Sequence, residues 1–344
     1  MLNPMLRNQS FRLTSGRSDK RKGKVMKINC CVCVTLVALT LFARDHRVLV
    51  LRSGDKDQYA YAIKEDGSWE KERMPFFKLG FADLNPKRCQ IVNKVLYVMC
   101  VGEDTVEGVA TSGYGEVIRF NLDGSRIDED AMFKFDGKAN GMAITPDGKY
   151  IFIGISKENY MPDISGRVWR YDTVNKKLAA FADMIVEGKE VRESCYIQEM
   201  CCDTNGFLYV TERQVGRVNK YKVDENEGVY VDRTKCVQRS KVNVKNGGAI
   251  CYSPNEDCLY HGSETSVRKL NISDLSIKTE AEMSASVRFY ASAVIKGVPY
   301  LVPEIKSVVY AIDASTLEAK VVLNTSAIDI CHIPFFGNFT MVVR

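Results

Sequence analysis

From about residue 45 onward the chain alternates short apolar runs with polar turns, and no stretch combines a 3.6-residue apolar period with helical length and caps. The runs are rich in Val, Ile, Tyr and Phe. Asp-Gly and Asn-Gly pairs divide them, supplying the positive φ that a tight hairpin requires. This pattern predicts an all-β chain.

The runs also repeat. A polar turn followed by a strand with an aromatic residue recurs as "IVNKVLYVM" at 91–99, "TPDGKYIFIG" at 145–154, "DTNGFLYVTE" at 203–212, "SPNEDCLYHG" at 253–262, "IKGVPYLVPE" at 295–304 and "FFGNFTMVV" at 335–343. The markers Tyr97, Phe152, Tyr209, Tyr260 and Tyr300 lie 55, 57, 51 and 40 residues apart. That spacing fits the blade of a propeller, a four-stranded unit of roughly 40–50 residues that cannot bury its faces alone. A second series, "GEVIRFNLDGS", "GRVWRYDTVNKK", "GRVNKYKVDENEG", "SVRKLNISD" and "SVVYAIDAST", supplies equivalent strands that each end in a polar turn.

Six blades of four strands follow, with the ring closed by strands from both ends of the chain. Closure is favoured because an open arc leaves unpaired sheet edges. Three runs ahead of the first full unit, "RVLVLRSG", "DQYAYAIKEDG" and "SWEKERMPF", supply the outer strands of the last blade. "RVLVLRSG" and "FTMVVR" compete for one place, which leaves open a distorted closing blade or an incomplete seventh.

The boxes "NGMAITPDGKYIFIG" and "GRVWRYD", with the six-unit repeat, resemble the gluconolactonase and regucalcin family of six-bladed propellers and, more loosely, NHL-type propellers. The likeness spans residues 81–334. It implies calcium or another divalent cation at the channel mouth, polarising a lactone carbonyl and helping to generate the attacking hydroxide. Asn140 matches the family's box asparagine, and Lys138 falls where that box often carries a substrate-binding arginine. The insert "SKENYMPDIS" corresponds to the extended loop of the same family blade. Elsewhere the chain departs from the pattern. "QEMCCDTNG" puts Gln198 and Glu199 where the family has a carboxylate ligand, and the first-blade glutamate is missing, with Asp83 nearby. Asn246 and Asp329 complete a metal set of Asp83, Asn140, Gln198, Asn246 and Asp329. Calcium takes six to eight oxygens and tightens with ligand charge, so this set holds it weakly.

Other chemistries find less support. The three histidines, His46, His261 and His332, come with no Gly-x-Ser-x-Gly elbow, and His261 at a strand end reads as structural. Trp69 and Trp169 sit at outer-strand positions, where packing is their default role.

Composition is that of a globular chain, with a net charge of +5. The excess gathers at the front. Arg7, Arg12, Arg17, Lys20, Arg21, Lys22, Lys24 and Lys27 precede the apolar run "INCCVCVTLVALTLFA", which matches a secretory h-region. Residues 1–25 are thus a basic extension, 26–43 a signal peptide or, if translation starts upstream of Met26, a signal anchor, and 44–344 the propeller. A secreted or extracytoplasmic protein is expected, with the membrane reached only through an uncleaved anchor. Of twelve cysteines, nine lie beyond the apolar run, without a Cys-x-x-Cys pair. Cys100, Cys201, Cys202 and Cys251 read as buried apolar thiols.

Two functions stand on these residues. One is a non-catalytic module that binds a small-molecule or protein ligand at the channel mouth, the lactonase site having degenerated. The alternative is a calcium-dependent hydrolase of sugar lactones or esters. No nucleic-acid partner is indicated, and a monomer is expected.

Overall fold

The computed structural model describes residues 47–333 apart from 53–55, 65, 80–83, 107–108, 157–165, 184–195, 214–215, 225–237, 240–246, 284–286, 305–307, 325–326 and 328. The chain divides into a unit spanning residues 1–43, none of them described, and a second spanning residues 44–344.

Six antiparallel sheets make up the described part of the second unit, and none of the described residues is helical. Blade 1 runs outward through Asn85–Val92, Val95–Val106, Val109–Asn121 and Phe133–Asp136. Blade 2 comprises Ala139–Ile144, Tyr150–Ile155, Arg167–Asp172 and Lys177–Asp183, and blade 3 Ile197–Cys202, Phe207–Glu212, Arg217–Lys222 and Gln238–Arg239. Blade 4 comprises Ala249–Ser253, Cys258–Gly262, Ser266–Asn271 and Ile277–Glu282, and blade 5 Phe289–Ile295, Val298–Pro303, Val309–Ile312 and Ala319–Leu323. The first strand of each blade touches the first strand of the next, from blade 1 round to blade 6 and back, so the six enclose one axis. The chain is a six-bladed β-propeller.

Blade 6 is made from both ends. Its first strand is Asp329–Ile333, and Arg47–Leu51 lies antiparallel beside it with Leu49 opposite Cys331. Asp57–Ile63 and Trp69–Lys71 follow, and Phe77–Lys78 also pairs with Asp57–Ile63. The competition between "RVLVLRSG" and the last strand-like run thus resolves for the former. Residues 335–343, expected as a strand of this blade, lie outside the described residues, and the place beside Asp329–Ile333 is held by Arg47–Leu51.

The hydrophobic interior is divided among the gaps between blades. Leu49, Leu51 and Phe77 of blade 6 meet Leu96, Val98 and Ile118 of blade 1. Met99, Val117 and Phe135 of blade 1 meet Ile144, Ile153 and Tyr171 of blade 2. The four remaining gaps are filled likewise. Each fully buried Leu, Ile or Phe contributes about 1.5–3 kcal/mol relative to its exposed state, so blades that are marginal alone are stabilised by their neighbours. Trp69 is buried against Tyr300 with ring centroids 5.0 Å apart, in the packing role its position implied.

Polar turns close the hairpins by a repeated device. Asp66, Asp123, Asp274 and Asp313 each accept from the backbone N–H and hydroxyl of the serine two residues on, which holds each carboxyl below its ordinary pKa. In the "PDG" turn Asp147 accepts from the Thr145 hydroxyl and the Lys149 N–H, and Gly148 takes φ +77°. That box is therefore hairpin chemistry.

Candidate functional site: the ring axis

On the first strand of blade 1, "NPKRCQIV", Arg88 is the one side chain that reaches across the axis. Its Nη2 donates to the carbonyl of Gln198 in blade 3 at 2.9 Å and to that of Tyr290 in blade 5 at 3.0 Å. The guanidinium also lies over the Tyr290 ring, 4.4 Å from the centroid. Contact with two non-adjacent blades at once places this group inside the ring as a plug.

Two carboxylates share its charge. Glu199 in blade 3 accepts from the Ile250 N–H of blade 4 at 2.5 Å, and from the Ser292 N–H and hydroxyl of blade 5 at 2.7 and 2.8 Å. Asp329 of blade 6 accepts from the Cys89 N–H of blade 1 at 2.7 Å. Arg88, Glu199 and Asp329 are 2%, 4% and 3% exposed, so this is a buried charged clasp joining five of the six blades. Burial pushes the Glu199 carboxyl up to about 8 against the pull of Arg88, with Asp329 adding to the rise. Asp329 is pushed up to about 6 by burial, again opposed by Arg88. Gly248 makes the approach possible, because a Cβ there would stand 2.5 Å from the Phe289 carbonyl oxygen and 2.8 Å from Gln198 Cγ.

The plug separates two environments. Toward the end where the first strands finish is a cavity of about 330 Å³, with Arg88, Glu199 and Asp329 at its base. Cys201, Cys202 and Cys251 line it, together with Met142, Met200 and Val294. Toward the end where the strands begin is a polar rim. There the Tyr290 hydroxyl donates to Asn140 Oδ1 at 3.2 Å, and Tyr196 hydrogen-bonds to Asn140 as well. Arg213 forks onto Glu304 at 3.1 and 2.6 Å and donates to Gln198 Oε1 at 3.3 Å. Lys138 Nζ pairs with Glu103 at 2.6 Å. Lys87 is pulled below its ordinary pKa by burial, then by Arg88 and Lys138. A larger cleft, about 700 Å³, lies at the outer part of blade 6. There Lys71 sits over the Tyr59 ring and Lys78 pairs with Asp57.

Of the residues proposed for a cation, Asn140, Gln198 and Asp329 are described, and Asp83 and Asn246 are not. The three are spread across rim and clasp. Asn140 Oδ1, Gln198 Oε1 and Asp329 Oδ2 each take a protein donor, namely Tyr290, Arg213 and Cys89. Calcium needs six to eight oxygens, and here a guanidinium already answers the two buried carboxyls. The described donors therefore do not fit that ion. Among the described residues no three His, Cys, Asp or Glu side chains gather as a metal cage. Lys138 stands at the rim as a salt-bridged cation. The insert at 156–165 lies almost wholly outside the described residues.

Arg88 escaped the sequence reading, because in "NPKRCQIV" it stands beside Lys87 and close to Gln90, and no apolar context marks it as buried. Glu199 was in view beside Gln198, but the strand turns the glutamate into the ring centre. Cys201 and Cys202 also differ from expectation. They are partly exposed because they line the cavity, whereas Cys100 and Cys251 are buried as expected.

No family model matches the chain, and no curated protein matches its sequence. Among solved structures it is similar to a chain in the crystal structure of a nidogen/laminin complex, with a TM-score of 0.58 and 12% identity. The match covers 83% of this chain and 97% of that one. At that identity the likeness shows the fold, in agreement with the six-bladed ring described above.

Proposed function

We propose that this protein is a non-catalytic binding propeller that docks a protein segment or small molecule on the rim where the first strands begin. The observation that carries this reading is how the deep charges are used. Arg88, Glu199 and Asp329 are held by groups of five blades and lie in one another's field, whereas the Lys138–Glu103 and Arg213–Glu304 pairs are partly exposed at the rim. Such pairs orient polar partners without supplying a nucleophile. That the similar solved chain comes from a complex of proteins supports the reading. Export is part of it, supported by the basic flank and apolar run ahead of the propeller.

The alternative, a lactonase-type hydrolase related to the gluconolactonase and regucalcin family, draws on one observation. Two carboxyls with pushed-up pKa values face one cavity, and such pairs cluster at catalytic centres.

One experiment separates the two. The full chain is assayed against aldonolactones and small esters with and without calcium, and is used as bait with its K138E and R213E variants. The binding reading expects no turnover, together with a partner that the rim variants lose. Calcium-dependent hydrolysis abolished by Glu199→Gln, or a partner indifferent to both rim substitutions, overturns it.

A further inference from the structure

Among the described residues, four of the first strands carry the same irregularity where they enter the ring. In blade 1 the pairing breaks between Pro86 and Arg88, which leaves Lys87 without a residue opposite. Blade 2 breaks around Asn140, blade 5 around Tyr290, and blade 3 between Ile197 and Met200, around Gln198 and Glu199. A bulge of this kind re-aims a side chain and is over-represented beside functional sites. Three of the four are already engaged with other blades or with the rim. The Tyr290 hydroxyl donates to Asn140 Oδ1, Gln198 Oε1 accepts from Arg213, and Glu199 accepts from Ile250 and Ser292.

Lys87 differs. Its carbonyl accepts from Arg88 Nη1 at 3.0 Å, which ties the bulge to the axial plug, but among the described residues no hydrogen bond or ion pair engages its ammonium. The side chain is partly buried. The charges that act on it are Arg88 and Lys138, then Glu103 and Glu304, so it stands between the two rim pairs. Those pairs are closed, Lys138 onto Glu103 at 2.6 Å and Arg213 onto Glu304 at 2.6 Å. Among the described residues the mouth thus holds one ammonium that no carboxylate answers, partly withdrawn from water. Such a charge costs stability where it stands, and an anionic ligand group would offset that cost.

We propose that Lys87 seats a carboxylate side chain, an Asp or Glu of the docked protein segment, which enters the channel mouth between the two rim pairs. The inference rests on the docking reading above and narrows its ligand to one chemistry. A charge-assisted hydrogen bond is roughly twice as strong as a neutral one, so the unanswered ammonium favours an ionised acceptor over a backbone carbonyl. A single negative charge matches a single unanswered cation. A phosphate group fits less well, because its second charge would face Glu103 and Glu304 while the cations beside it are already paired. A positively charged segment would be repelled by the same ammonium.

The test pans the full chain against random peptides displayed between fixed flanks, so that no free C-terminus is offered. A second set ends in a free carboxylate and carries no acidic side chain. Peptides recovered from the first set should share an Asp or Glu at one position. A recovered peptide, synthesised with both ends blocked, should bind Lys87→Met about tenfold or more weakly than the parent. Its Asp→Asn or Glu→Gln form should lose as much on the parent and nothing further on the variant. Lys87→Met should melt at or above the parent's temperature, because it removes a partly buried charge and keeps an unbranched side chain. Should that variant fail to fold, protection of Lys87 from acetylation by the bound peptide, mapped by mass in the unaltered chain, decides the matter. Recovery of no peptide, of peptides without a shared acidic position, or of the free-carboxylate set alone overturns the proposal, as do acidic peptides that bind Lys87→Met as well as the parent. A partner lost by Lys138→Glu and Arg213→Glu but kept by Lys87→Met leaves the docking reading standing and overturns this one.

Discussion

Arg88 and Gln198 stand on blades separated by a third, and the guanidinium of one donates to the backbone carbonyl of the other across the ring axis at 2.9 Å. A side chain that spans the ring is a structural element in its own right. Removing it leaves Asp329, ionised at neutral pH, buried without its cation beside a largely protonated Glu199. Arg88→Met should therefore lower stability by about 3–5 kcal/mol, the usual consequence of orphaning a buried charge. Equilibrium unfolding in denaturant measures this, and a loss under 1 kcal/mol would show that the clasp is held by its backbone donors alone.

The alkaline side of the stability profile belongs to Glu199 and Asp329. Both have folded-state pKa values above their ordinary ones, about 8 and about 6, so the folded protein holds their protons more tightly than the unfolded chain. Their contribution is complete below the ordinary carboxylate range and is lost as pH rises through the folded values. Each unit of pH within the window removes up to about 1.4 kcal/mol per group. Melting temperature should fall between pH 5 and pH 9, and Glu199→Gln should flatten the upper part of that fall.

His261 governs part of the acid side, with the opposite sign. It is buried in the second strand of blade 4 with neither ring nitrogen hydrogen-bonded, and burial, then Arg268, lowers its pKa to about 4. A histidine kept neutral contributes stability that is present above its ordinary pKa and is lost as pH falls through 4. His261→Leu removes an unsatisfied polar ring. It should match or exceed the parent's stability at pH 7 and lose less between pH 6.5 and pH 4, as read by thermal melts across that range.

Closure of the ring depends on Arg47–Leu51. Leu49 is fully buried between blades 6 and 1 and lies opposite Cys331 in the pairing that joins the two ends of the fold. Leu49→Ala should cost about 2–5 kcal/mol. Hydrogen exchange should show the loss of protection starting in the strands of blade 6.

Gly248 sets the separation of blades 3, 4 and 5 beside the clasp. A methyl group there would meet the Phe289 carbonyl oxygen and Gln198 Cγ well inside contact distance, and a backbone oxygen cannot swing aside. Gly248→Ala should destabilise by about 1–3 kcal/mol and loosen the Glu199 contacts to Ile250 and Ser292. A smaller pH dependence in this variant than in the parent would report that loosening.

The repeat, the strand character and the turn chemistry were all legible in the sequence because they are local. A Pro-Asp-Gly turn closes a hairpin wherever it stands, and an aromatic strand every 40–57 residues requires a neighbour to bury its faces. Six blades and closure from both ends follow from that pattern and from the instability of open edges. What the sequence left open was decided at long range. "RVLVL" holds the second place in blade 6 because its register against Asp329–Ile333 puts Leu49 and Leu51 into the gap with blade 1, a contact between residues nearly three hundred positions apart. The centre was equally hidden. Gln198 and Glu199 are adjacent in the chain and lie in the register break between Ile197 and Met200, with one amide meeting Arg213 at the rim and one carboxyl meeting Ser292 and Ile250 inside the ring. Nothing local to "NPKRCQIV" says that its arginine will meet carbonyls 110 and 202 residues away. The local sequence specifies the blade, and only the closed ring brings Arg88, Glu199 and Asp329 to one axis, where burial gives them their altered protonation.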